Sequence, residues 1–459
     1  MYEILKMIYL LFLFLNIGYT FAFQGLTKYH NTWYKDSWKT KTVKHIPEYD
    51  SELQTVQDIL SKKSPIVFSL ECENLKKDLA GAGYGKNFII MGGDCAEQFD
   101  SCHVDNVKDY YKLILQMGII STFITGKKSI KVGRIAGQYA KPRSEPYEII
   151  EGRKYPSYFG DIINSHKINE RRIDPKRMIK AYNLSVQTLN ILRAFSSGGY
   201  AGLDNIKNWF LYDDIYKKFE RILNNINKSL CFMKGLGLNN QNILSQTDFY
   251  ISHECLLLPY EQEFVREDSI SKKNYDCSCH FLWIGERTNF KNSSHVEFLR
   301  GVHNPIGLKV SKNTNYKDLI ESIRILNPEN EMGKISLICR FGHLKIKNEL
   351  PKLIQIIKDK KLNVVWICDP MHGNTFSIGK KKTRSLLHIK NEISDFFEIH
   401  KKCGTTAAGI HLEMTHKNVT ECVDNNDNNL NINYQSLCDP RLNGKQSLDI
   451  IFSIANNFL

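Results

Sequence analysis

The sequence has no apolar run that reaches the roughly 20 residues a bilayer span needs. The nearest is Ile8 to Ile17, uncharged, preceded by Lys6 and followed by small residues near Thr20 and Ala22. Its length fits the h-region of a signal segment. No stretch repeats, and with 12 prolines and 28 glycines in 459 residues the collagen and low-complexity classes are excluded. A Walker A sequence is missing. The Gly-rich stretch Ala80–Gly85 precedes a strand-like run instead of following one, so a dinucleotide fingerprint fails on context, and its glycines are read as turn residues. Cys277-Ser278-Cys279 is too cramped for a zinc hook and has no partner pair at finger spacing. A basic stripe with interleaved aromatics, the mark of a nucleic-acid binder, is also lacking.

What is present is an ordinary globular composition, 42% apolar and 24% charged, with 62 Lys and Arg against 49 Asp and Glu and a net charge of +13. The Lys residues are scattered, and their clusters, Lys380–Lys382 being the densest, read as solvated faces. Twelve cysteines is an even number, but a chain this long needs no disulfide framework. Several lie in apolar strand-like runs, such as Cys339 and Cys368, where the thiol acts as a small hydrophobe.

From residue 87 a unit recurs: a short β-branched apolar run, a polar stop, a loop and an amphipathic segment. The runs are Phe88–Met91, Ile130–Val132, Phe249–Ile251, Phe281–Ile284, Gly307–Val310, Ile335–Cys339, Val364–Cys368 and Ala408–Leu412. Strands buried on both faces and separated by helices predict a parallel sheet. Eight of them predict a closed (β/α)₈ barrel, with an open doubly wound sheet as the alternative. Helices are expected at Tyr316–Leu326, Asn348–Asp359 and Thr383–His400. Residues 1–24 read as a signal or targeting segment, 25–86 as an N-terminal extension and 87–459 as the barrel. A helical insertion at about 145–247, after the second strand, carries Met178–Phe195 and Asn205–Lys234.

A barrel places its chemistry just beyond the C-terminal ends of the strands. Arg134, Arg287, Lys309 and Arg340 follow strands two, four, five and six, and together predict a pocket for phosphate and carboxylate oxygens. The alternative is a structural network with Glu254, Glu286 and Asp369. Across the rim, Cys95, His372, Glu413 and Asp439 offer a thiolate, an imidazole and two carboxylates, a mixed set for Mn, Fe, Co or Zn. From spacing alone, His372 can equally be a satisfied structural residue.

The ordered segments GGDCAEQF (92–99), VGRIAGQYAKPRS (132–144), PSYFGDIIN (156–164), SHECLLLPYE (252–261), WIGERT (283–288) and HVEFLRGVHNPIGLKV (295–310) are similar to one known family. So are CDPMHGNT (368–375), KTR (382–384), GIHLE (409–413), VTEC (419–422) and CDPRLN (438–443). They resemble the class II (plant-type) 3-deoxy-D-arabino-heptulosonate 7-phosphate (DAHP) synthases, from about Trp33 to the C-terminus. The resemblance implies a TIM barrel that condenses phosphoenolpyruvate with erythrose 4-phosphate, releasing phosphate, in the first step of the shikimate pathway. It implies a divalent metal, Mn, Co or similar, on Cys95, His372, Glu413 and Asp439. Phosphoenolpyruvate would be held by Arg134, Glu286, Arg287, Lys309 and Arg340, with Glu286 and Lys309 as catalytic residues. Lys141, Arg143 and Ser144 would face erythrose 4-phosphate. Either Glu286 or a water on the metal would activate the attacking water. A homo-oligomer is expected, with no nucleic acid and no stable membrane association once the leader is removed. A leader ahead of an enzyme with a reduced thiolate ligand predicts delivery to a plastid-like organelle.

Four departures stand out: Phe159 where the family has Arg, Asn289 after GERT, an Asn-rich stretch after Cys422, and Ser311-Lys312 after Val310. They predict altered rim loops and a looser erythrose 4-phosphate site. The competing reading is a catalytically weak relative acting as a binding or regulatory partner.

Overall fold

The computed structural model describes Trp33 to Ile454, apart from residues 50–51, 144, 151, 202–212, 237–245, 425–429 and 431. The leader and Ser144 therefore lie outside the described residues. All eight predicted runs become strands: β1 (Asn87–Gly93), β2 (Lys128–Arg134), β3 (Tyr250–Glu254), β4 (Phe281–Ile284), β5 (Ile306–Val310), β6 (Ile335–Cys339), β7 (Val365–Cys368) and β8 (Ala407–Glu413). They close in sequence order into a parallel barrel, with β8 pairing β1. This is the (β/α)₈ architecture, and the open sheet is excluded.

Period-two alternation divides the core. Phe88 and Ile90 of β1 face the outer helices, while Ile89 and Met91 point inward with Ile130, Val132, Phe281, Trp283 and Ile338. The inner core is completed from below by the helix Ser69–Gly83, whose Leu75, Leu79 and Ala82 pack into the N-terminal mouth of the barrel. Its buried Lys76 is neutralised by Glu73 at 2.9 Å and Glu331 at 3.2 Å. Gly81 and Gly83 belong to this helix and not to the turn read from the sequence. Gly81 lies against Asn87, so close that an added Cβ would stand 2.4 Å from Asn87 Nδ2.

The unit after β3 has no long helix. The chain passes through a single turn, Leu258–Glu261, and the hairpin Val265–Glu267/Asn274–Asp276. The extension covers this side: Gln57, on the helix Glu52–Ser61, donates to the Pro259 carbonyl at 2.9 Å, and Trp38 donates to Gln262 Oε1 at 2.9 Å.

Helix expectations hold with shifts. Tyr316–Leu326 is as read, and Ile346–Asp359 starts two residues early. The third helix is Leu386–Cys403, because Thr383 and Arg384 belong to the hairpin Thr375–Ile378/Lys381–Arg384. Between β2 and β3 the chain opens with another hairpin, Tyr147–Ile150/Arg153–Pro156, before the helices Arg177–Ser197 and Asp213–Gly235. All twelve cysteines are free, and most are buried. Among the described residues, no helix is long and apolar enough to cross a membrane.

Candidate active site

The alternation that fills the inner core also delivers the site. One step above Ile130 and Val132, the inward position of β2 is Arg134; on β5 it is Lys309, and beyond Ile338 on β6 it is Arg340. Register does the same for β8: Met91 pairs with His411 and Gly93 with Glu413, so both β8 side chains share the inner face. Gly93 lies in register between Arg134 and Glu413. Its φ of +150° and the 2.5 Å an added Cβ would leave to the Arg134 carbonyl require glycine. Arg134 and Glu413 meet across this bare position at 3.2 Å.

Above the strand ends opens a cavity of about 900 Å³, lined by Arg134, Lys141, Arg143, Glu286, Arg287, Lys309, Arg340, His372 and Asp439. Arg134 and Lys309 form its floor and are almost fully buried. Trp283 lies beneath both, with its ring centroid 5.1 Å from the Arg134 guanidinium and 5.7 Å from the Lys309 ammonium. Partial pairing is present: Lys309 meets Asp369 at 2.6 Å and Arg340 meets Glu286 at 3.7 Å. Arg340 Nε is buried without a partner, and Ser311 donates to Glu286. The pocket keeps a surplus of positive charge. Arg287, more exposed, donates to the Pro142 carbonyl at 3.2 Å, and Arg143 pairs with Glu148 of the hairpin at 3.4 Å.

On the opposite side, the ligand atoms of Cys95, Glu413 and Asp439 all lie within 4.8 Å of one another. His372, on the turn after β7, brings Nε2 to 3.0 Å from Glu413 Oε1. Two carboxylates beside a thiol at this spacing require a cation. The Lys141 ammonium now meets that need, donating to Cys95 Sγ at 2.7 Å and pairing with Asp439 at 2.8 Å and Glu413 at 3.6 Å. Burial alone would raise the Glu413 carboxyl, yet His372, Lys141 and Arg384 hold it well below the ordinary range. Burial also acts to raise Asp439, but Lys141, Arg384 and Lys382 together hold it well below the ordinary range. Burial pushes the Cys95 thiol well above its usual range, helped by its hydrogen bond with Cys438 and the charge of Glu413. Glu413 Oε2 is buried with no aligned hydrogen bond, although Arg384 Nη2 stands 2.8 Å away. A buried, ionised carboxylate beside a thiol, an imidazole and a second carboxylate fits a borderline divalent metal.

Residues 33–455 match the class-II DAHP synthetase family. The chain belongs to that family. Phospho-2-dehydro-3-deoxyheptonate aldolase of Streptomyces coelicolor is 39% identical over 438 residues, covering 92% of this chain and 97% of the relative. The protein of the same name from Neurospora crassa is 39% identical over 453 residues, 93% of this chain and 94% of its own. Phospho-2-dehydro-3-deoxyheptonate aldolase AroG of Mycolicibacterium smegmatis is 37% identical over 437 residues, with coverage of 92% and 93%.

Within this DAHP synthetase barrel, some rim residues read from the sequence turn away from the cavity. His253 bonds Glu261 at 2.9 Å in the protein interior, and only its neighbour Glu254 lines the pocket. Asp94 pairs with Arg441 at 2.8 Å. Glu97 accepts the backbone N–H groups of Ala136, Gly137 and Gln138 and so ties the first rim loop to the second. Of the departures, Phe159 packs half-buried against the core while its carbonyl accepts from Lys141 N. Asn289 Oδ1 is buried without a partner. Sequence reasoning missed Trp283, Lys382, which reaches Asp439 at 3.0 Å, and His411, whose Nε2 lies 2.7 Å from Arg134 Nη1. The strand alternation contains the signal for Trp283 and His411; Lys382 stood in the KTR segment (382–384), but its cluster was read as a solvated face.

Proposed function

We propose that this DAHP synthase works as a metal-dependent transferase, with its metal on Cys95, His372, Glu413 and Asp439 and phosphoenolpyruvate on the cationic floor. The family's reaction, condensation of phosphoenolpyruvate with erythrose 4-phosphate in the first step of the shikimate pathway, is the reaction of this chain. The observation that carries the site reading is the pair of buried cations, Arg134 and Lys309, set beside a tight cluster of acidic donors. The two floor cations pair with Glu413 and Asp369, and the further guanidiniums of Arg340 and Arg287 above them leave a positive surplus that favours a small polyanion carrying both carboxylate and phosphate.

Bound to the four ligands, a divalent ion such as Mn or Co would act as a Lewis acid toward the aldehyde of erythrose 4-phosphate. The remaining work falls to the protein. Arg134, Lys309 and Arg340 fix phosphoenolpyruvate so that its C3 faces the aldehyde carbon, which lowers the entropic cost of a two-substrate encounter. Arg143 at the mouth takes the phosphate of erythrose 4-phosphate. The C3 enol carbon attacks the aldehyde carbon, a C–C bond forms as the carbonyl π bond breaks, and the aldehyde oxygen takes a proton to become a hydroxyl. Water then adds at C2, and phosphate leaves by cleavage of the C2–O bond. Glu286, beside Arg340 and Ser311, is the carboxylate best placed to take a proton from that water.

The test is phosphate release from the two substrates with Mn or Co present, and then after chelation. Turnover that needs the metal and returns on its readdition is expected. No release in any metal would favour the reading as a non-catalytic partner of shikimate enzymes.

A pH limb follows from Lys309. Burial pushes its ammonium down to about 8, with Asp369 opposing and Arg134 adding to the shift. The charged form dominates below that value and is lost above it. kcat/KM for phosphoenolpyruvate should therefore fall as pH rises through about 8, and Lys309→Arg, with a guanidinium that stays charged, should flatten the limb. An unchanged limb in Lys309→Arg would assign it to another group.

A further inference from the structure

Two inner-face residues with no assigned role, Asp369 and His411, link the two halves of the site. Asp369 is fully buried at the end of β7. Its Oδ2 lies 2.6 Å from Lys309 Nζ and 2.8 Å from His372 Nδ1, while Oδ1 accepts the backbone N–H groups of Met371 and His372. His372 Nε2 continues to Glu413 at 3.0 Å, and Glu413 to Arg134 at 3.2 Å. Arg134 reaches His411 at 2.7 Å, and His411 returns to Lys309 at 3.4 Å. The six side chains form a closed ring made of two phosphoenolpyruvate cations, two adjoining metal ligands and two linkers.

We propose that Asp369 is a positioning residue shared by both half-sites, and that through this ring metal and phosphoenolpyruvate strengthen one another's binding. The inference rests on the metal and substrate assignment above. With Nδ1–H donated to Asp369, the His372 ring is fixed in the tautomer that leaves Nε2 free for a metal, as outer-shell carboxylates do for metal-binding imidazoles. The direction of the coupling follows from charge. In the ring, Glu413 draws on Arg134 and Asp369 draws on Lys309. With a divalent ion held by Glu413 and His372, the Glu413 charge would be taken up and the imidazole polarised toward Asp369. Both steps release positive potential on the floor, where the phosphate and carboxylate oxygens sit. By linkage, phosphoenolpyruvate must tighten metal binding by the same factor.

The experiment measures binding, not turnover. Mn²⁺ is titrated into metal-stripped full-length protein and free Mn²⁺ is read by electron paramagnetic resonance, with and without saturating phosphoenolpyruvate. In the unaltered protein, phosphoenolpyruvate is expected to lower the Mn²⁺ Kd by about tenfold. Asp369→Asn keeps the shape and the acceptor for the two backbone N–H groups but removes the charge. It should weaken Mn²⁺ about 10- to 100-fold and bring the phosphoenolpyruvate effect close to onefold. Mn²⁺ binding that is tight but indifferent to phosphoenolpyruvate in the unaltered protein overturns the coupling whatever becomes of the variant. So does a folded Asp369→Asn protein that keeps the full phosphoenolpyruvate effect, which would place the coupling in direct contact between ligand and ion. If the unaltered protein retains no Mn²⁺, the metal assignment falls and the coupling with it.

Discussion

Cys95→Ser is expected to abolish turnover and metal retention while the barrel stays folded. Cys95 belongs to the turn after β1, and its sulfur faces Lys141 and Asp439, not the apolar core. Exchanging sulfur for oxygen therefore leaves little void. A serine hydroxyl ionises far less readily than a thiol and is a poor donor to a borderline metal. The cluster would keep two carboxylates and the imidazole, and Lys141 would remain as their counter-charge. Metal content after gel filtration, phosphate release and a thermal melt together decide the matter. Full activity with full metal content in the variant would show that the metal, if needed, binds elsewhere.

The second large effect is expected at Arg340. Its guanidinium meets Glu286 only at 3.7 Å, and Nε has no partner, so its capacity for charge-assisted hydrogen bonds is largely unspent in the free protein. A bond of that kind contributes about 1.5–3 kcal/mol, which corresponds to a factor of about 10–150 in binding. Arg340→Ala should raise KM for phosphoenolpyruvate by that order, with a smaller change in kcat and little change in KM for erythrose 4-phosphate. The variant strands no buried charge, because Glu286 keeps Ser311 as a donor. Steady-state kinetics with each substrate varied in turn would show the split. An unchanged KM for phosphoenolpyruvate would remove Arg340 from its site.

The parts of this architecture that the sequence made legible are those governed by periodicity. Two-sided burial left all eight strands as continuous apolar runs, and the residue following each run marked the rim. Two kinds of information were hidden. One is direction: His253 and Arg134 both lie at a strand end, but the phase of each strand, set by its pairing in the barrel, turns His253 toward Glu261 and keeps Arg134 on the floor. The other is long-range pairing within the loops. Asp439 comes near Cys95 although 344 positions separate them, and no local pattern encodes that approach. The shared rim put the four ligand residues forward as a candidate set, with His372 open to a structural reading, and the motifs' resemblance to a family joined them into one site. The helix Ser69–Gly83 was missed for a different reason. Its apolar face is narrow, includes a neutralised lysine, and ends in the small residues that let it seat against the barrel.

That same helix governs traffic. Leu75, Leu79 and Ala82 close the lower end, so every molecule that enters or leaves must use the upper mouth. Arg134 and Lys309 lie at the bottom of this blind shaft, and Arg143 stands nearer its opening. On the proposed assignment, phosphoenolpyruvate descends before erythrose 4-phosphate can be useful, since the sugar phosphate would stopper the passage. With that order of entry, inorganic phosphate released at the floor would lie beneath the new seven-carbon chain and would leave after it.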